Sequence, residues 1–330
     1  MKVADHICLA GYPAGEAAGK PYGKNEDWLA FRNESYVLLL DGSTGLGRQA
    51  VPQSDLYHST AQWFVHRFAQ LVEERIDSPI PLKELVFSCM QIAKSEYGQT
   101  LSALDCDLSR FSQDQLRLMQ PSASMALVRK SRDKVELFSL GDLCILARTC
   151  DGVLHDLSGK SVQPLDRAVI QLAVQQAKEH EIGMLQAMKI PCVQEHLHAN
   201  RLLKNSGAPN GYWILGFDAQ ALDHAITAQW VDRPLPADCD GANCIESLFI
   251  CSDGFAALND TYCQFSHDGT EDAHAFFQAC LQRGLSPLGK TLREIEREDS
   301  DCNTYPRFKA SDDAAAVVLH FQNHIPDCSK

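Results

Sequence analysis

The residues of this chain best suited to chemistry are acids, and they stand at the ends of apolar runs. YVLLLDG ends in Asp41 and Gly42, KVELFSLGD in Asp142, and SLFICSDG carries Asp253; SDDAAAVVL opens a last apolar run at Asp312 and Asp313. Glu26 and Asp27 precede a fifth run, 28–32. A carboxylate beside a buried strand is costly unless it is paired or binds a cation. One Asp-Gly is a common turn dipeptide. Several acids at the ends of core strands are a stronger signal, because there a rigid sheet can make ligands converge. Hard divalent cations such as magnesium and manganese take oxygen ligands of this kind. Other metal patterns are weaker. His196 and His198 form His-x-His, but a helix would point them to different faces. Cys239 and Cys244 stand close together without the second pair that a zinc site needs.

The elements that must position these acids follow from periodicity. Residues 3–10, 28–32 and 36–42 read as strands, the last a continuous apolar run of the buried kind. Ser59 or Thr60 caps a helix with Ala61, Phe64, Val65, Phe68, Leu71 and Val72 on one face. A second helix follows Pro81, and Phe64, Phe68 and Phe87 are assigned to the core. Residues 105–121 are polar and irregular, which predicts a loop. ASMALVRK, KVELFSLGD, CILART and VLHDL are short, closely spaced strands that suggest an antiparallel meander. Residues 164–206 are helical in character; 211–217 and 225–231 read as strands around a short helix. SLFICSDGF (247–255) is a strand, 271–283 and 287–299 are helices, and 314–321 is a final strand. This order predicts an α+β sandwich, with sheets packed together and helices outside.

Bulk properties exclude several classes. The 330 residues, 45% hydrophobic and 22% charged, describe an ordinary globular protein, read as one large domain spanning 1–330. A formal net charge of −13 disfavours nucleic acid and an anionic membrane surface as partners. The 13 cysteines include no Cys-x-x-Cys, and Cys8, Cys89 and Cys251 sit in apolar runs like buried free thiols, which suits a reducing cytoplasm. The N-terminus lacks the apolar core of a signal peptide, and no run of about 18 apolar residues is present.

Taken in order, GKNEDW, LLLDGSTG, SASMALV, SLGDLC, ICSDG and SDDAAAVVL resemble the successive motifs of metal-dependent protein phosphatases of type 2C, over about residues 20–321. The resemblance implies a four-layer α-β-β-α sandwich, with residues 160–235 as a helical insertion or flap. It also implies two manganese or magnesium ions. Asp41 would bridge both, with the Gly42 carbonyl and Glu26 (or Asp27) on one metal and Asp253 and Asp312 on the other. Asp142 would serve a weaker third ion, and Asp313 would support the ligands. Two ions about 3.5–4 Å apart would supply a bridging hydroxide for in-line attack on phosphorus, so no protein nucleophile is required.

The chain departs from the family pattern on the substrate side. Many members place a phosphate-holding arginine a few residues before the Glu-Asp pair; Tyr22 stands near that position here, and Lys20 and Lys24 are the nearest cations. Lys24 is therefore the candidate phosphate contact. Ser43 replaces the histidine common in eukaryotic members, and Leu143 replaces the serine of Gly-Asp-Ser. The expected activity is hydrolysis of phosphoserine and phosphothreonine in phosphorylated proteins. The alternatives are a phosphatase of a small phosphorylated metabolite, or a catalytically weak binding protein on the same fold.

Overall fold

The computed structural model of the protein describes residues 1–11, 25–43, 45–46, 51–103, 111–232, 241–266 and 272–321. Its described strands are β1 (Lys2–Leu9), β2 (Asp27–Arg32), β3 (Tyr36–Ser43), β4 (Ser122–Ser131), β5 (Lys134–Leu140), β6 (Cys144–Thr149), β7 (Leu154–Asp156), β8 (Ile226–Val231), β9 (Ile245–Cys251) and β10 (Ala314–His320). They form two five-stranded sheets, β1-β10-β9-β6-β7 and β2-β3-β4-β5-β8. Every pairing is antiparallel.

The unbroken apolar run of β3 reflects burial on both faces. Val37 and Leu39 pack into the space between the sheets, against Ile145, Ile250 and Val317 of the other sheet. Tyr36, Leu38 and Leu40 point outward into a core closed by α1 (Thr60–Glu73) and α2 (Leu82–Ala103). On the far side, Phe249, Cys251, Ala316 and Val318 meet α7 (Asp253–Asp260), α8 (Ala273–Arg283) and α9 (Leu285–Glu298). The result is the expected α-β-β-α sandwich. Ser59 caps α1, its hydroxyl accepting from the Gln62 amide at 3.0 Å.

Between β7 and β8 lie α4 (Gln163–His180), α5 (Met184–Ala187) and α6 (Pro191–Leu202). They share a small core of Val169, Ala173, Met184, Val193, Cys302 and Ala310. No helix of the described residues is long and apolar enough to cross a membrane.

The structure corrects four expectations. Gln113–Met119 is a helix (α3), not loop; Ser112 and Gln115 form a reciprocal capping box. The 211–217 segment is not a strand: Ala123 and Leu215 exchange two backbone hydrogen bonds (2.9 and 3.1 Å), and Tyr212 makes one isolated bridge to Lys204. The meander is split, since β4 and β5 belong to one sheet and β6 and β7 to the other. Phe87 is 44% exposed, on the outer side of α2.

Candidate metal centre

Strand register assembles the acids. Asp27 at the start of β2 pairs with Asp41 near the end of β3, and Asp41 pairs with Ser124 on β4. The next position, Gly42, donates its amide to the Glu26 carbonyl at 3.1 Å, and a Cβ there would sit 2.6 Å from that oxygen. Only glycine lets the two segments approach so closely. Asp142 follows Gly141, whose φ of 106° turns the chain out of β5. Its carboxylate accepts from the Ser124 hydroxyl, which in turn accepts from the Asp142 amide at 3.2 Å.

The other sheet supplies the opposite wall. Asp253 is the first helical residue of α7 rather than a strand end. A helix N-terminus favours a carboxylate there. Asp312 and Asp313 precede β10, in a turn held by Arg293. The Arg293 guanidinium bonds Glu296 (2.6 Å), the Ser311 hydroxyl (2.8 Å) and the carbonyls of Leu9 and Ala10 (both 3.2 Å). Asp313 uses both oxygens on backbone, accepting from Gly11 (2.7 Å) and Glu26 (2.8 Å). It thus ties the Glu26–Asp27 segment to the Asp312 turn. Glu26 accepts from the Ser59 hydroxyl, so one serine both caps α1 and orients this acid. Ser59→Ala is expected to lower unfolding stability by about 1 kcal/mol, measurable by denaturant titration.

Glu26, Asp27, Asp41, Gly42, Asp142, Asp253 and Asp312 all line one cavity of about 330 Å³. Lys24 lies outside the described residues. A second cavity of about 560 Å³ adjoins the first, sharing Asp142, Asp166, Asp253, Lys309 and Asp312 in its wall.

The electrostatics are those of crowded like charges. Burial, then Asp313, pushes the Asp27 carboxyl up to about 8. Asp27 is 3% exposed, and its Oδ2 is buried with no hydrogen-bond partner. Burial and the neighbouring Asp253, Asp27, Asp142 and Asp312 hold Asp41 well above the ordinary carboxylate range. Asp253 is raised too, by its dense surroundings and by Asp312 and Asp142, although its carboxylate opens onto the cavity. Among the described residues, no three acids, histidines or cysteines close on a common point as they stand. The carboxylates ring the cavity instead. The donor set is all oxygen, it is self-repelling, and it includes an orphaned buried oxygen. Those features fit a hard divalent cation.

Two cations at the cavity were not legible in the sequence. Burial alone would lower the Lys309 ammonium, but its pairing with Asp312 outweighs that and leaves it raised above the ordinary lysine range. Arg201 of α6 donates to the Ser43 hydroxyl at 2.8 Å. The spacing Lys-x-x-Asp at 309–312 is a weak sequence hint for the first. No local pattern marks the second.

No family model matches the chain, and no curated protein matches it. Similar solved structures are bacterial serine/threonine phosphatases. One is PstP/Ppp of Mycobacterium tuberculosis, 11% identical, TM-score 0.43, covering 98% of this chain and 100% of that one. Another is Stp1 of Staphylococcus aureus, 10% identical, TM-score 0.42, covering 98% and 96%. The catalytic domain of PstP, solved in complex with 2 manganese ions, is 12% identical with TM-score 0.44, covering 96% and 98%. At such values the likeness carries no chemistry; the chain's own acids do.

Proposed function

We propose that this protein is a metal-dependent phosphatase that hydrolyses phosphoserine and phosphothreonine esters in proteins. One observation carries the reading: acids delivered by both sheets line a single cavity and include a buried carboxylate oxygen that nothing in the protein satisfies. Glu26, Asp27, Asp41, the Gly42 carbonyl, Asp253 and Asp312 would hold manganese or magnesium, with Asp142 available to a further ion. Bound there, the cations would activate water and offset charge on the phosphoryl oxygens.

The protein's residues contribute the rest. Strand register fixes the backbone of Asp41 and Asp27, and the Arg293-clamped turn that of Asp312, so a cation would have only side chains to draw together. Asp313 and Ser59 orient Glu26 from behind. Fully ionised, the ring repels a phosphate dianion. Productive binding thus requires cations to reverse the local charge first.

The test is hydrolysis of p-nitrophenyl phosphate and of a phosphopeptide panel. Turnover is expected only with added manganese or magnesium and should vanish with a chelator. Full activity in metal-free buffer would overturn the reading. Preference for phosphopeptides over small phosphorylated metabolites is the expected ranking.

A further inference from the structure

The cavity presents a phosphoryl group with a problem that its acids cannot solve. Metals can neutralise the carboxylates, but a tetrahedral dianion also needs donors that fix its orientation. A guanidinium does this best, because its planar fork can grip two phosphate oxygens at once. Of the two cations described at the cavity, Lys309 is already paired with Asp312. Arg201 is differently placed. Its hydrogen bonds go to neutral hydroxyls, those of Ser43 and Tyr212, and among the described residues it forms no salt bridge. Ser43 directly follows Asp41 and Gly42, so the guanidinium is held beside the acids on the cavity wall. Five N–H donors leave several available after these two contacts.

The segment carrying Arg201 is docked, not loose. Asn200 donates to the Leu165 carbonyl at 3.0 Å, and Lys204 reaches the Gln120 carbonyl (3.2 Å) and the Ser122 hydroxyl (3.3 Å) at the start of β4. Asn205 bonds both the amide and the carbonyl of Ile214 (2.9 and 3.0 Å), next to Tyr212. Asp166 of α4 lies across from the guanidinium and balances its charge without a direct ion pair.

We propose that Arg201 is the substrate's phosphate grip, a binding residue delivered to the acidic cavity by the helical segment between β7 and β8. The proposal rests on the phosphatase reading for its substrate, yet it can be tested without turnover. On phosphate arrival the guanidinium exchanges the Ser43 hydroxyl for phosphoryl oxygens. Substrate selection then depends on α4–α6, which carry both Arg201 and part of the adjoining larger cavity.

The experiment is calorimetric titration of inorganic phosphate into wild-type protein, Arg201→Ala, Arg201→Lys and Ser43→Ala, with manganese present. Steady-state kinetics on a phosphopeptide run alongside. Arg201→Ala is expected to weaken phosphate about tenfold or more and to raise KM in parallel. Manganese affinity and melting temperature should stay near wild type. Arg201→Lys should recover part of the phosphate affinity, since it restores charge without the fork, and it serves in place of the alanine variant if that fails to fold. A merely structural Arg201 would instead move melting temperature and manganese affinity together. Equal phosphate affinity in wild type and the Arg201 variants, including no binding by any of them, overturns the proposal. Phosphate binding that depends on Arg201 in a wild-type protein that hydrolyses no phosphoester would overturn the enzymatic reading and leave the grip standing.

Discussion

Asp41→Asn is expected to reduce turnover of a phosphorylated substrate by about 10³-fold at saturating manganese, while the protein stays folded. The magnitude is that of losing one preorganised electrostatic contact at a reaction centre, and a cation ligand should cost at least as much. Asp41 is the acid most exposed to the others: Asp253, Asp27, Asp142 and Asp312 all raise it. It also sits in register between Asp27 and Ser124, so its position is set by backbone pairing rather than by its charge. Asparagine keeps the size and removes the repulsion, so the variant should melt at least as high as wild type in chelator. Measuring kcat with manganese and melting temperature with chelator separates the two roles. Activity within tenfold of wild type would remove Asp41 from the centre; a large loss of stability without metal would make it structural.

What the sequence revealed follows from where the information lies. The acids at 41, 142 and 312 were readable because each adjoins a strand buried on both faces, which leaves an unbroken apolar run ending in a charge. Asp253 was found by the same logic, though the chain turns at Ser252 into α7 instead of extending the strand. The 211–217 segment misled because its apolar residues serve two different clusters. Tyr212 and Ile214 pack with Val162, while Leu215 and Phe217 join the α1–α2 core. Pairing with a sheet strand was open to it at one point only. β5 ends at Leu140, opposite Met125, so Ala123 is left for Leu215 to meet. Gln113–Met119 was missed because a short polar helix has little periodicity; its capping box was the available signal. Arg201 and Lys309 could not be seen, because their approach to the acids is a product of tertiary packing.

Without metal, the protein is expected to lose stability as pH rises from about 6.5 to 8, and manganese should reverse the trend. Asp27, at about 8, keeps a proton in the folded state that the unfolded chain has released by about pH 4. Asp41 and Asp253 are raised in the same direction. A raised carboxyl contributes stability that is full below the unfolded value and is lost as pH climbs through the folded one. Competing groups act elsewhere. His66, lowered by burial, matters at and below its usual 6.5, and Lys204, lowered to about 8, adds stability only above that. Each carboxyl protonated only in the folded state costs about 1.4 kcal/mol per pH unit across the window, or roughly 2 °C in a chain of this size. Divalent cations bind the ionised acids, so their stabilisation should grow over the same interval. Melting curves at pH 6.5, 7.2 and 8.0, in chelator and in manganese, should therefore diverge as pH rises. Asp27→Asn should make the chelator series shallower, because it removes one of the carboxyls that lose their proton in this window while Asp41 and Asp253 remain. Parallel curves, with no gain from manganese at any pH, would mean that the acids are held by the protein alone and that the cavity is no metal centre.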